Sequence, residues 1–119
     1  MEIINVKDKI SRINEYWQPK IVGELNGQLV KVAKLKGEFI MHHHDNEDEL
    51  FYVVEGSLTI ELKEKTIRLN EGDFVIIAKG IEHKPIAQKE VHVMFFEPNT
   101  TLNTGNVLNE MTQKQLDKL

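Results

Sequence analysis

Between Lys20 and Pro98 the chain is a succession of short apolar runs separated by polar or glycine-containing turns. Leu58, Ile60 and Leu62 alternate with Thr59 and Glu61, the period of two of a half-buried strand. Leu29 to Leu35 alternates in part, and Ile21 to Leu25 leads toward it through Asn26-Gly27. That pair suits a type I′ turn, in which both central residues need positive φ, so the segment is predicted to be a hairpin. Gly37 breaks the pattern, and Phe39 to His44 is predicted as a further strand. Leu50 to Val54, Thr66 to Leu69, Phe74 to Ile77, His83 to Ala87 and Val91 to Glu97 complete the series, with Pro98 stopping the last. Strands this short, turning about every 8–12 residues, point to an all-β antiparallel sandwich or barrel. Lys7 to Asn14 fits a short N-terminal helix with Ile10 and Ile13 on one side. Tyr16 and Trp17 suit packing on the core or a subunit contact, with the lining or lid of a pocket as the alternative for Trp17. Asn99 to Asn109 reads as loop, and Thr112 with Gln115 three residues on suggests the cap of a short C-terminal helix.

Length and composition narrow the setting. The chain has 119 residues, predicted to form a single domain (1–119) with its barrel core over about 20–98 and a tail over 99–119. The hydrophobic fraction is 40% and the charged fraction 29%, both ordinary for a soluble globular protein. A net charge of −4 with mixed signs argues against a nucleic-acid partner, which would need a basic stripe. Without cysteine there are neither disulfides nor thiolate metal sites. No apolar run approaches the roughly 20 residues of a membrane span, and the N-terminus has no basic-then-apolar leader, so no membrane partner and a cytoplasmic location are expected.

The candidate chemistry lies in Gly37 to Glu49. His42 and His44 are two apart; in a strand they share a face, with Cα atoms roughly 7 Å apart. Two imidazoles at that spacing can reach one metal ion at about 2.1 Å per bond. Glu49 opens the next apolar run and offers a carboxylate, and His83 offers a further nitrogen from far along the chain. His43 should face the other way, and His92, among Val91, Val93 and Met94, suits a packed or exposed position rather than a ligand. The acidic loop Asp45 to Asp48 is expected to be solvated. Phe51 and Val53 share parity with Glu49 and suit either a cavity wall or ordinary core. Three imidazoles and a carboxylate suit one divalent transition metal per chain: manganese, iron, nickel, zinc or copper. Such a site leaves coordination positions open for water, dioxygen or a small-molecule substrate. No separate general base stands out, with Glu38, Tyr52 and His92 candidates by chemistry alone.

The spacing Gly37-x4-His42-x-His44-x4-Glu49-x6-Gly56, followed by Gly72-x5-Ala78-x-Gly80-x2-His83-x3-Ala87, resembles the two signatures of the cupin superfamily. The resemblance covers roughly Val30 to Pro98. It departs in having four residues after the first Gly, Ala78 in place of a usual Pro, and Ala87 in place of a frequent Asn. It implies a small jelly-roll barrel in which His42, His44, Glu49 and His83 ligate a single metal. The tail from Glu97 to Gly105 is similar to that of small one-domain cupins described as mannose-6-phosphate isomerase-like. The resemblance also implies a homodimer, which the open edges of a sandwich would suit. Two functional classes follow. One is a metal-dependent enzyme on a small organic molecule (a sugar-like or keto/enol compound), working as isomerase, epimerase or dioxygenase. The other is a non-catalytic domain that binds or senses a small molecule in the same cavity.

Overall fold

A helix, α1 (Val6–Ser11), precedes seven strands in the computed structural model, which describes all residues from 1 to 119: β1 (Lys20–Leu25), β2 (Gln28–Glu38), β3 (Glu49–Glu55), β4 (Leu58–Leu62), β5 (Thr66–Leu69), β6 (Phe74–Ile77) and β7 (His83–Pro98). Every strand pairing is antiparallel. The order is β1-β2-β7-β3-β6, and β4 joins from the side by pairing with β7 and with β5. The strands wrap round a shared interior as a jelly roll. The β1–β2 hairpin turns as expected: Asn26 and Gly27 have φ of 53° and 78°, the positive values a type I′ turn requires.

β7 is the spine of the fold. Its residues Val91 to Pro98 lie between β2 and β3, while its first residues pair with β4. The expected two strands, His83 to Ala87 and Val91 to Glu97, are one strand with a bulge. Leu35 pairs with Val91 and Gly37 with Ala87, so Gln88, Lys89 and Glu90 stand opposite Lys36 alone. The three polar residues are exposed at this corner, where the strand bends from one part of the sheet to the other. The exposed run masked the continuity of the strand, because periodicity reports burial rather than hydrogen bonding.

Two further expectations are corrected. Phe39 to His44 is extended but forms no strand; its one rung is the bridge from His42 to His83. Thr112 caps no helix, and the chain after it has none. Its hydroxyl accepts from the Asn109 amide and shares a hydrogen bond with Thr104, holding a turn instead. The N-terminal helix does form, capped by the Asn5 side chain on the Asp8 amide at 2.9 Å. Ile10 and Ile13 are buried against Val32 on the outer face of β2.

Inside the roll, alternate residues of β2, β3 and β7 point inward. Ala33, Leu35, Phe51, Val53, Val91, Val93 and Phe95 meet Leu58 and Ile60 of β4 in one apolar cluster. At one end of the same inward rows stand Lys31, Glu49 and Glu97, all buried.

Candidate metal centre

The backbone brings His42 and His83 together. The His42 amide donates to the His83 carbonyl at 3.0 Å, and the return bond is 2.8 Å. His44 follows two residues on, its carbonyl accepting from the Gly80 amide at 2.8 Å. The tail clasps this segment from outside. The Asn106 side chain accepts from the His43 amide, and the Asn106 amide donates back to the His43 carbonyl. Gly105 lies so close that a Cβ there would overlap the His43 carbonyl oxygen.

The three histidines are buried, and their ring nitrogens lie within 4.8 Å of one another, placed to hold a metal. Ring centroids are 4.3 Å apart for His42 and His83, 5.1 Å for His42 and His44, and 5.6 Å for His44 and His83. Glu49, first residue of β3, puts its Oε1 3.4 Å from His44 Nε2 and 3.3 Å from His83 Nε2. The structure therefore gathers all four residues singled out from the sequence. His43 points away, between Glu82 and Asp45 at 2.9 Å each.

Protonation follows from the second ring nitrogens. His42 Nδ1 and His83 Nδ1 each lie 2.9 Å from a backbone carbonyl, of Ile40 and Ile81 respectively. A carbonyl only accepts, so it holds a proton on Nδ1 of each ring and turns Nε2 toward the cluster. Burial, and then the neighbouring His83, push the His42 pKa down to about 4, so the ring is neutral at pH 7. For Glu49, burial favours the neutral acid, but His44 and His83 outweigh it and hold the carboxyl well below its ordinary range. His83 Nε2 and His44 Nε2 face Glu49 Oε1 at 3.3 and 3.4 Å, all three atoms buried and none with a hydrogen bond of good geometry. Imidazole nitrogens and a carboxylate oxygen converging on one buried point fit a cation.

The acidic loop is less free than expected. Asp48 accepts from the Lys79 amide, Glu47 from the Thr100 hydroxyl, and Asp45 meets His43. Its carboxylates fasten the segment between the ligands to the turn before β7 and to the tail.

Next to the cluster is a cavity of about 40 Å³, walled largely by apolar side chains that include Phe39, Phe51 and Phe95. Trp17 stands at its wall, stacked on Phe39 at 4.9 Å between ring centroids, with its indole N–H donating to the Lys36 carbonyl. The two readings of Trp17 therefore meet in one position: it packs on the core and borders the pocket. None of Glu38, Tyr52 and His92 lines this cavity. Glu38 pairs with Lys84, and His92 sits between Glu90 and Glu55. Sequence reasoning missed Glu97, a buried cavity-lining carboxylate bound to the buried Lys31 at 2.7 Å. Burial and the nearby Glu49 push its pKa well above the ordinary carboxylate range, with Lys31 opposing. A signal was available: Glu97 shares parity with Val91, Val93 and Phe95, and Lys31 with Leu29, Ala33 and Leu35.

Residues 28–98 match the family model described as the cupin domain. The chain belongs to the cupin family. In structure this cupin is similar to a cupin-2 domain containing protein from Shewanella frigidimarina, with a TM-score of 0.80 and 41% identity over 82% of this chain and 95% of that one. In sequence it is similar to the protein YdbB of Bacillus subtilis (strain 168), 42% identical over 53% of this chain and 57% of YdbB. It is also similar to 3-hydroxyanthranilate 3,4-dioxygenase of Xenopus laevis, 29% identical over 79% of this chain and 36% of that enzyme. The chain spans between 36% and 57% of the length of the curated relatives it matches. No helix is long and apolar enough to cross a membrane.

Proposed function

We propose that this cupin holds one divalent transition metal between His42, His44, Glu49 and His83, and acts on a small organic molecule in the adjoining cavity. The observation that carries this reading is the buried convergence of His44 Nε2 and His83 Nε2 on Glu49 Oε1, none of them with a hydrogen-bond partner. A cation would take one atom from each of these residues together, and their desolvation is otherwise poorly compensated. The backbone carbonyls of Ile40 and Ile81 would orient His42 and His83 toward it. Such a metal supplies Lewis acidity toward the bound molecule. Glu49 would offset part of its charge, and Phe39, Phe51 and Phe95 would limit water in the adjoining cavity.

The cavity wall favours dioxygenase-type chemistry over sugar isomerisation. A sugar brings many hydroxyl groups, and each would need a partner on burial. This wall has few to offer. The similarity to 3-hydroxyanthranilate 3,4-dioxygenase supports the same choice. A homodimer fits the exposed Phe74 and Ile76 on β6, a strand paired on one side only; a monomeric mass by light scattering would rule it out.

The test is elemental analysis of untagged protein purified without added metal, with His83→Gln as control and circular dichroism confirming its fold. About one transition metal per chain, lost in the variant, is expected. No metal in the parent protein, even after reconstitution with iron, manganese, nickel, copper and zinc, would defeat the proposal. Oxygen uptake by iron-loaded protein with aromatic hydroxy compounds then separates turnover from binding alone.

A further inference from the structure

Glu97 is 3% exposed and Lys31 is 2% exposed, both on inward rows of the barrel. Lys31 Nζ meets Glu97 Oε1 at 2.7 Å, and Glu97 Oε2 is buried with no partner. Glu97 lines the cavity and Lys31 does not, so the ion pair braces the carboxylate from behind. The other amide in the wall is already committed: Asn103 donates to the Met111 carbonyl and accepts from the Gln113 amide. Outside the cluster of histidines and Glu49, the unpartnered polar side-chain atom in this cavity is Glu97 Oε2. Buried polar atoms left unpaired in this way are uncommon and favour a ligand that hydrogen-bonds to them.

Trp17, Phe39, Phe51 and Phe95 line the same cavity with aromatic surface. The enclosed volume of about 40 Å³ would hold roughly three waters, so one end of a ligand sits inside and the rest lies at the mouth beside Trp17. We propose that Glu97, braced by Lys31, reads the ligand: the cavity takes a flat compound of about one ring whose hydroxyl or amino group hydrogen-bonds to Glu97 Oε2. This deepens the proposed function by naming the ligand class, and rests on that reading only for a second contact at the metal. A ring offers its faces to the aromatic wall without adding groups that need partners.

The test uses benzene-1,2-diol and its dimethyl ether, 1,2-dimethoxybenzene, which has the same ring and no donor. Binding to zinc-loaded and metal-free protein is measured by calorimetry, for the parent and for Glu97→Gln, with zinc content measured on the same samples. The diol is expected to bind the parent at least tenfold more tightly than the diether. Glu97→Gln is expected to weaken the diol at least tenfold, while leaving the diether and the zinc content unchanged. Equal binding of diol and diether, an unchanged diol affinity in Glu97→Gln, or no binding of the diol to the parent overturns the proposal. Failure of the parent to take up zinc defeats the metal centre instead. If the metal-free protein still prefers the diol through Glu97, the ligand-reading role stands without the metal.

Discussion

The inward rows of β2, β3 and β7 form two halves with the same backbone and opposite chemistry. In one half, Leu35, Val53, Val91 and Val93 pack on Leu58 and Ile60 of β4. In the other, Lys31, Glu49 and Glu97 continue the same rows and meet His42, His44 and His83. Phe51 and Phe95 form the boundary, their rings 5.0 Å apart. The apolar half supplies hydrophobic stabilisation at about 25 cal/mol per Å² of buried area. The polar half works against folding, since each buried ion forfeits several kcal/mol of hydration. A chain optimised for stability alone would have continued the valines and leucines. Carrying six buried polar side chains at one end makes sense where that end binds something.

Truncation should break the two halves differently. Ile60→Ala removes fully buried volume from the apolar half and should cost about 4 kcal/mol, within the usual 2–5 kcal/mol for such changes. Urea unfolding measures it, and the metal content of the folded fraction should not change. If metal binding fell with Ile60→Ala, the two halves would be energetically one unit and the comparison would fail.

In the polar half, removing one partner should matter more than removing both. Lys31→Met leaves the Glu97 carboxyl buried without its cation and should cost about 3 kcal/mol. That is the low end for a broken buried pair, because Glu97 can take up a proton instead. Adding Glu97→Leu to Lys31→Met should restore most of the loss, since a buried pair is often replaced by apolar residues at little cost. Additive losses in the double variant would mean that the pair contributes by packing rather than charge.

These halves also differ in how far the sequence revealed them. The apolar rows were legible because alternation reports burial, and the β1–β2 hairpin because Asn26-Gly27 has few other uses. The histidines and Glu49 were legible from spacing and chemistry together. Lys31 and Glu97 were not read as interior, because a charged residue in a strand usually faces solvent and parity alone was outweighed. The continuity of β7 through Gln88 to Glu90 was hidden for the complementary reason: exposed residues in a bulge look like a loop. The strand expected over Phe39 to His44 failed because its backbone is held by single contacts, to Pro85, His83, Gly80 and Asn106, rather than by a ladder. Such long-range partners leave no local signature.

The gentlest probe is acid, and it should act on the polar half alone. The His42 ring has its pKa lowered to about 4, from 6.5 in an unfolded chain, by burial and by His83, with His44 and Glu49 also facing it. Between those values the unfolded chain binds more protons than the folded one. His42 by itself should therefore lower the stability of the metal-free protein as pH drops from 6.5 toward 4, by at most about 3 kcal/mol, while Glu97, whose pKa is raised, works in the opposite direction above 4.5. Glu49 has the opposite dependence on charge but the same outcome in a lower window: its depressed pKa contributes stability that is lost below its ordinary value of 4.5. Urea unfolding at intervals from pH 7 down to about pH 2 covers both windows. His42→Asn should flatten the upper one, because asparagine does not titrate. Ile60→Ala should keep the parent slope and shift the whole curve downward, since no titratable group lies in the apolar half. A His42→Asn profile as steep as the parent's would place the acid sensitivity elsewhere and dissolve the distinction between the two ends of the barrel.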